Sequence, residues 1–135
     1  MNRFIIEADG GSRGNPGPAA FGAVVYHAET QETFFEVGMS IGIATNNVAE
    51  YRGLIAGLKA VSELDLSAEI EVRMDSKLVV EQMSGNWKVK HQNIKPLVLE
   101  AKAAFPPEQV KYVWVPREEN FRADALLNKA LDELF

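Results

Sequence analysis

A mixed α/β fold is what this sequence predicts, with one five-stranded sheet and helices on both of its faces. Residues 3–41 contain three successive segments rich in β-branched and aromatic residues, which is typical of a β-meander. Beyond residue 46, helical and strand periodicities alternate, which indicates strand–helix–strand crossovers and hence parallel strands. The 135 residues suffice for one domain but not for a second sizeable core, so a single domain is expected over residues 1–135.

The three strands of the meander are predicted at residues 3–9, 20–27 and 33–41. The segment between the first two, 10–18, has the sequence GGSRGNPGP. It is predicted to form a loop, because glycine and proline favour turns. The connection at 28–32 is short enough for a hairpin.

A long helix is predicted over residues 46–64. Its apolar residues recur at a spacing of three or four and so form one stripe, made of Val48, Tyr51, Leu54, Ile55, Leu58 and Val61. Thr45 or Asn46 is suited to cap this helix, because a short polar side chain can accept a hydrogen bond from the first free backbone N–H groups.

The remaining elements follow from the same rules. Strict alternation of apolar and polar residues predicts a fourth strand at 69–74. The other segments are predicted, in chain order, as a short helix at 76–83, a helix at about 94–105, a strand at 110–115 and a final helix capped by Asn120.

The composition excludes several kinds of site. The chain has no cysteine, which rules out disulfides, thiolate-bound zinc, iron–sulfur clusters and thiol catalysis. It has two histidines, His27 and His91, so a multi-histidine site is not expected and a metal would be bound by oxygen ligands, which suit Mg²⁺, Mn²⁺ or Ca²⁺. No segment resembles a signal peptide or approaches the roughly 18 apolar residues of a membrane span. A cytoplasmic protein with no membrane partner is therefore expected.

Four carboxylates fall where predicted elements begin or end. Asp9 ends the first strand and Asp75 ends the fourth, so the two would meet at one edge of the sheet if these strands are parallel neighbours. Glu50 lies in the first turns of the long helix, and Asp124 lies early in the last helix. Each has an ordinary alternative, because aspartate is common in turns and acidic residues stabilise helix N-termini.

Two glycines in the long helix favour an inward-pointing Glu50. Gly53 and Gly57 share the face of Glu50, and each costs the helix roughly 1 kcal/mol relative to alanine. That cost suggests that the sheet or a ligand approaches this face closely.

Four carboxylates brought together without cationic partners would repel one another. Divalent cations remove that repulsion, and two oxygen-ligated ions roughly 3.5–4 Å apart are a known arrangement for phosphodiester hydrolysis. A two-metal site is therefore the chemical hypothesis that links the four residues.

Four segments of the chain resemble type 1 ribonuclease H, and each contains one of the four acids. They are ADGGSRGNPGPAAFGAVV at 8–25, ATNNVAEYRGLIAGLKA at 44–60, VRMDSKLVVEQMSGNWKVKH at 72–91 and WVPREENFRADALLN at 114–128. The segments occur in the order of the family and cover most of the chain. The compact length is similar to bacterial and archaeal members, and to the ribonuclease H part of some fused bacterial proteins.

The resemblance implies a ribonuclease H-like fold, with the sheet order 3-2-1-4-5 and an antiparallel second strand. It implies an enzyme that hydrolyses the RNA strand of RNA–DNA hybrids and leaves 5′-phosphate and 3′-hydroxyl ends. It assigns catalysis and the binding of two Mg²⁺ ions, or Mn²⁺ as a substitute, to Asp9, Glu50, Asp75 and Asp124. Asp9 would bridge both ions, Glu50 and Asp75 would lie near the attacking water, and Asp124 would bind the second ion. The expected partner is the hybrid, and a monomer is expected.

The resemblance also assigns substrate contacts. The segment that would bring backbone amides to the 2′-hydroxyls, which distinguish RNA from DNA, comprises Gly10, Gly11, Ser12, Arg13 and Asn15. Phosphate and minor-groove contacts would come from Thr45, Asn46 and Asn47, which are also good capping residues. The DNA strand would be contacted by Trp87, Lys88, Lys90 and Asn93. Without the resemblance, Trp87 would be interpreted as a packing residue.

Two departures from the family pattern concern the substrate. The link from Glu81 to Ile94 is too short for the extra helix and basic protrusion of some members, so binding is expected to depend more on Trp87 and its neighbouring lysines. The mobile histidine that many members carry before the last acid is absent from residues 115–124. Its replacement in product release is expected among Arg117, Glu118 and Glu119.

Two other functions fit the acids. Another nuclease of the wider superfamily, of the resolvase or transposase type, would use the same carboxylates, although the glycine-rich 10–15 segment and residues 45–47 favour the hybrid enzyme. A non-catalytic hybrid-binding module would tolerate the loss of an acid, whereas all four are present. A phosphate loop of the P-loop type is disfavoured, because residues 10–17 lack the Lys-Ser/Thr ending.

The net charge of −5 would ordinarily argue against a nucleic acid partner. Of the 19 acidic residues, however, four are assigned to the metal site, and two bound Mg²⁺ ions would change −5 to −1. The acidic balance therefore does not exclude a nucleic acid partner.

Overall fold

The computed structural model describes residues 2–135 and contains one five-stranded sheet in the order β3-β2-β1-β4-β5. Its strands are β1 (Arg3–Ser12), β2 (Gly17–His27), β3 (Thr33–Ala44), β4 (Glu69–Met74) and β5 (Val110–Trp114). β2 is antiparallel to β1 and β3, whereas β4 is parallel to β1 and β5. The predicted mixed sheet and its order are confirmed. The predicted domain boundary at Met1 lies outside the described residues.

Helices lie on both faces of the sheet, as predicted. They are α1 (Asn46–Leu64), α2 (Lys77–Met83), α3 (Lys95–Ala104) and α4 (Phe121–Asp132), and short 3₁₀ turns precede β5 and α4 at Pro107–Gln109 and Arg117–Asn120. The first three helices share one core with the sheet, whereas α4 packs on the opposite face against β1, β2 and β3. Within residues 2–135, none of the helices has the length and apolar character to cross a membrane.

The main core lies between the sheet and α1. Alternate residues of β4, from Ile70 to Met74, point into this core, as the strict alternation predicts. The predicted stripe of α1 meets them, and Leu54 and Leu58 are fully buried. Each such side chain contributes roughly 1.5–3 kcal/mol through burial, so the position of α1 on the sheet is strongly determined.

The predicted loop at 10–18 is mostly strand, which corrects the sequence interpretation. β1 continues through Gly10 and Gly11, which pair with Phe21 and Ala20 of β2, so only residues 13–16 form the turn. The physical reason is a close contact that local sequence does not reveal. A Cβ atom at Gly10 would overlap the α1 backbone at Ala49, so glycine here marks an approach of two backbones and not a turn.

The two expected helix caps have different outcomes. The Oγ1 atom of Thr45 accepts a hydrogen bond from the Val48 N–H at 3.3 Å and caps α1, which confirms one of the two candidates. Asn120 occupies the N-cap position of α4 but makes no capping hydrogen bond, so this expectation is wrong. Its side chain points into the protein interior, where tertiary partners replace the local one.

α4 lies directly on two glycines of the sheet. A Cβ atom at Gly22 would overlap the carbonyl oxygen of Ala123, and one at Gly38 would overlap that of Leu126. The backbone of α4 therefore contacts the sheet with no side chain between them. This contact sets the height of the helix, and hence of its acidic residue, above β1 and β2.

We expect Gly22→Ala to lower the free energy of unfolding by about 1–3 kcal/mol, because the added methyl group meets rigid backbone and forces α4 away from the sheet. Urea denaturation would measure this loss. Gly11→Ala is the matched control, because its Cβ meets only the flexible Leu127 side chain, at 3.5 Å. Equal unfolding midpoints for the two variants would contradict the prediction.

Candidate active site

Three carboxylates converge at the edge of the sheet where β1 and β4 end. Asp9, Glu50 and Asp75 each place an oxygen atom within 4.8 Å of the others. Asp9 and Asp75 meet because β1 and β4 are parallel neighbours. Glu50 joins them because the start of α1 packs on Gly10, and Gly53 lies against the carbonyl oxygen of Asp9. The close approach expected at this helix face is thus an approach of the sheet.

Burial and mutual repulsion disfavour the ionised forms of Asp9 and Glu50. The pKa of Asp9 is raised to about 8, first by burial and then by the charges of Asp75 and Asp124. Burial, followed by the charges of Asp9 and Asp75, raises the pKa of Glu50 well above its ordinary value.

The donor atoms fit a divalent cation. The Oε2 atom of Glu50 is buried and has no hydrogen-bond partner within residues 2–135. A buried polar atom without a partner is costly, and hard carboxylate oxygens are the ligands that Mg²⁺ and Mn²⁺ prefer. A cation beside Glu50 would satisfy this oxygen and relieve the repulsion.

The fourth acid, Asp124, lies beside this cluster but is not one of the three that converge within 4.8 Å. It is in the first turn of α4, and its side chain is 30% exposed. Its charge contributes to the raised pKa of Asp9, and both side chains line the same cavity. On its other side, the Nη2 atom of Arg117 lies 3.8 Å from its Oδ1 atom.

Asn120 connects the sheet to Asp75, a role that the sequence interpretation missed. The residue is fully buried, and its Nδ2 group donates to the carbonyl oxygen of Ala8 at 2.8 Å and to the Oδ1 atom of Asp75 at 2.9 Å. It therefore holds the Asp75 carboxylate in a fixed orientation. No signal in the sequence distinguishes this role from capping, because the partners are distant along the chain.

Several predicted substrate residues share a cavity of about 290 Å³ with the acids. Its lining includes Gly10, Gly11, Ser12, Arg13, Asn46 and Arg117. Asn46 accepts hydrogen bonds from the backbone and hydroxyl of Ser12 at 2.8 and 3.0 Å, and its N–H donates to Asn15 at 3.0 Å. The Arg13 guanidinium, in contrast, pairs with Asp132 at the end of α4.

The other predicted residues lie outside that cavity. Trp87, Lys88 and Lys90 line a separate cavity of about 480 Å³ beside α2. Neither cavity is lined by Thr45, Asn47, Asn93, Glu118 or Glu119. Of the three candidates for product release, the structure therefore brings only Arg117 to the acids.

Cavity size does not identify the site. A cavity of about 500 Å³ lies at the opposite ends of β1, β4 and β5, where Arg3, Arg73 and Lys111 alternate with acidic residues. Its charges are mixed and exposed to solvent, whereas the smaller cavity contains the converging carboxylates. Chemistry, and not volume, distinguishes the two.

Comparisons with known proteins agree with this geometry. The family model described as reverse transcriptase-like matches residues 7–130. The bifunctional protein Rv2228c of Mycobacterium tuberculosis is 56% identical over 131 residues, which cover 96% of this chain and 36% of that protein. The chain thus spans about a third of the length of the first curated relatives that it matches. A ribonuclease H of Alcanivorax borkumensis is 31% identical over 149 residues, covering 99% of this chain and 95% of that protein.

Solved structures give the same result. The N-terminal RNase H domain of Rv2228c has a TM-score of 0.92 and 54% identity, covering 98% of this chain and 96% of that one. The LC11 RNase H1 in complex with an RNA/DNA hybrid has a TM-score of 0.88 and 42% identity, covering 97% and 98%. The converging acids, the sheet order and these relatives together show that the chain belongs to the type 1 ribonuclease H family.

Proposed function

We propose that this protein hydrolyses the RNA strand of RNA–DNA hybrids with the help of divalent cations. The observation that carries the proposal is the convergence of Asp9, Glu50 and Asp75, with a buried Glu50 oxygen that lacks a partner. A relative of 42% identity whose structure is a complex with an RNA/DNA hybrid supports this class of substrate.

Asp9, Glu50, Asp75 and Asp124 are the residues proposed to hold Mg²⁺, with Mn²⁺ as a substitute. The chemistry supplied there by bound Mg²⁺ is neutralisation of the carboxylates, a lower pKa of the attacking water and stabilisation of the leaving 3′ oxygen. The protein's own contribution is orientation. Asn120 holds Asp75, and the contact at Gly10 holds Glu50 against β1.

The substrate residues divide between the two strands of the hybrid. The 10–15 segment, bound to Asn46, is proposed to place backbone amides against the 2′-hydroxyls of the RNA strand. Trp87, which is 45% exposed, and the adjacent lysines are proposed to contact the DNA backbone. Arg117 is proposed to bind the phosphate that leaves with the product.

The central prediction concerns Asp75→Asn, which removes one negative ligand and leaves a similar shape. We expect the variant to cleave hybrid at least about 100-fold more slowly in Mg²⁺. Losing a residue that merely hydrogen-bonds a metal ligand typically lowers activity about 10–100-fold, and losing the ligand itself should cost more. Gel analysis of labelled hybrid would measure the rate. Glu63→Gln, an exposed change in α1, is the control and keeps the wild-type rate.

The same assay separates the alternatives when it includes duplex RNA and a four-way DNA junction. Cleavage of the hybrid alone supports the proposal. Preference for the junction would indicate a resolvase-type nuclease, and tight hybrid binding without turnover in Mg²⁺ or Mn²⁺ would indicate a binding module. Wild-type activity of Asp75→Asn would contradict the assigned mechanism.

The raised pKa values predict how stability varies with pH in the metal-free protein. The pKa of Asp9 is about 8 when folded, against an ordinary value of 3.8, so the folded state binds more protons over the intervening range. Stability is therefore greatest at low pH within this range and falls as pH rises through about 8. We expect Mg²⁺ to reverse this loss, because the cation neutralises the ionised carboxylates.

Thermal unfolding in a chelator between pH 5 and 9, roughly the window set by these values, would measure the effect. Asp9→Asn should reduce the fall in melting temperature and the stabilisation by Mg²⁺, whereas Glu63→Gln should not. A melting temperature that rises with pH across this window in the wild type would show that the cluster is not repulsive.

Arg117 offers a test of the phosphate proposal. Arg117→Ala should lower kcat about tenfold, because a charge-assisted hydrogen bond contributes about 1.5–3 kcal/mol and this one acts on a phosphate oxygen. Steady-state kinetics on the hybrid would measure it. Glu118→Gln, on the same turn but outside the cavity, is the matched control. Equal kcat values for both variants would show that Arg117 does not contribute to turnover.

A further inference from the structure

An ion pair between a buried carboxylate and a partly exposed arginine joins β1 to α4 on the face of the sheet opposite the main core. Glu7 is 4% exposed, two residues before Asp9 on the same face of β1. The Nη2 and Nε atoms of Arg122 donate to its two carboxylate oxygens at 2.7 and 3.3 Å. Arg122 lies in the first turn of α4, two residues before Asp124. The pair thus connects the two chain segments that carry Asp9 and Asp124.

Further groups orient this pair. The hydroxyl of Tyr26 donates to Glu7 Oε2 at 2.8 Å and accepts from Arg73 at 3.4 Å. The Arg122 guanidinium also lies over the Tyr26 ring, 4.6 Å from its centroid. Arg73 is in turn paired with Glu71 at 2.6 Å. Glu7 therefore accepts hydrogen bonds from both Tyr26 and Arg122. The Arg122 guanidinium donates within its plane to Glu7, and one of its faces lies against the Tyr26 ring.

Such a pair restricts geometry more than it adds stability. Burying the Glu7 carboxylate costs desolvation energy that often cancels the attraction of such a pair, so apolar residues would serve folding equally well. The other contacts of α4 with the sheet are the backbone contacts at Gly22 and Gly38, which set its height, and the apolar side chains of Leu127, Ala130 and Leu131, which are not directional. A bidentate arginine–carboxylate contact is directional and therefore fixes the rotation of the helix about its axis.

We propose that the Glu7–Arg122 pair positions Asp124 opposite Asp9, so that cation binding and turnover depend on two residues that touch neither the cation nor the hybrid. The inference rests on the proposed function, because it treats Asp9 and Asp124 as ligands. Glu7 and Arg122 are positioning residues. Their loss lets α4 rotate, which moves Asp124 away from Asp9 while the 10–15 segment and α1 stay in place.

The test compares Glu7→Gln and Arg122→Lys with a control of similar stability. Glu7→Gln replaces one accepting oxygen with an N–H₂ group that faces a donor, and Arg122→Lys cannot make the two-point contact. Val61→Ala, in the core at the far end of α1, is the control that lowers the melting temperature without altering α4. Arg122 is partly exposed, so Arg122→Lys folds even if Glu7→Gln does not.

The first readout needs no catalysis. Mn²⁺ binding to the free protein is measured by the decrease of the paramagnetic resonance signal of aqueous Mn²⁺. We expect the affinity to weaken about tenfold in both variants and to stay unchanged in Val61→Ala. The second readout is kinetic. At saturating Mg²⁺, kcat for hybrid cleavage is expected to fall about tenfold while KM stays within about twofold, because the substrate contacts lie on other elements.

A double variant adds a further check. Combining Glu7→Gln with Arg122→Lys is expected to weaken Mn²⁺ binding no more than either change alone, because both remove the same contact. The proposal is overturned if both single variants match Val61→Ala in Mn²⁺ affinity and kcat, or if KM rises tenfold with kcat unchanged. If the wild type does not cleave hybrid, the proposed function fails, but the Mn²⁺ measurement still tests the positioning role.

Discussion

Backbone contact at glycine positions is the constraint on which the acidic site depends. α1 lies on Gly10 and α4 lies on Gly22 and Gly38, with no side chain between helix and sheet. A helix separated from the sheet by ordinary side chains would hold its first turn several ångströms further away. Because both helices are this close, the Glu50 carboxylate converges with Asp9 and the Asp124 side chain lines the same cavity. The strand order then adds Asp75, since β4 is the parallel neighbour of β1.

The short distance between the helices and the sheet also makes the site energetically unfavourable in the metal-free protein. Bringing acidic side chains into a partly buried cluster raises the pKa values of Asp9 and Glu50 and leaves one Glu50 oxygen without a partner. Strain of this kind collects at functional sites and is sustained by the rest of the fold. Here the support comes from the apolar stripe of α1 and from the hydrogen bonds of Asn120.

How much could be predicted from the sequence depends on how local each signal is. Periodicity located the strands and the apolar stripe of α1, and the four family segments identified the acids and the sheet order. The strand character of residues 10–12 was missed, because glycine there serves a contact with Ala49, which is distant along the chain. Asn120 was interpreted as a cap, because capping is its common local role, whereas its partners lie on β1 and after β4.

The Glu7–Arg122 pair was equally hidden, since its members are separated by 115 positions. One signal could have drawn attention to it. Glu7 is the one charged residue among the apolar positions from Phe4 to Ala8 of β1, and a charge in such a segment needs a partner. The sequence offers 14 basic residues as candidates, so the partner required the structure.

The hydrogen bonds between Asn46, Ser12 and Asn15 have a consequence for conformational entropy. A glycine-rich segment is costly to order, and a free loop would incur that cost when the hybrid binds. Asn46 holds the 10–15 segment, the end of β1 and the following turn, against the start of α1 in the free protein. The segment is therefore already ordered when the protein has folded. Hybrid binding does not incur this entropy cost, so more of the contact energy contributes to affinity. A chain whose net charge is −5 attracts nucleic acid weakly overall and gains most from an interface that is already ordered.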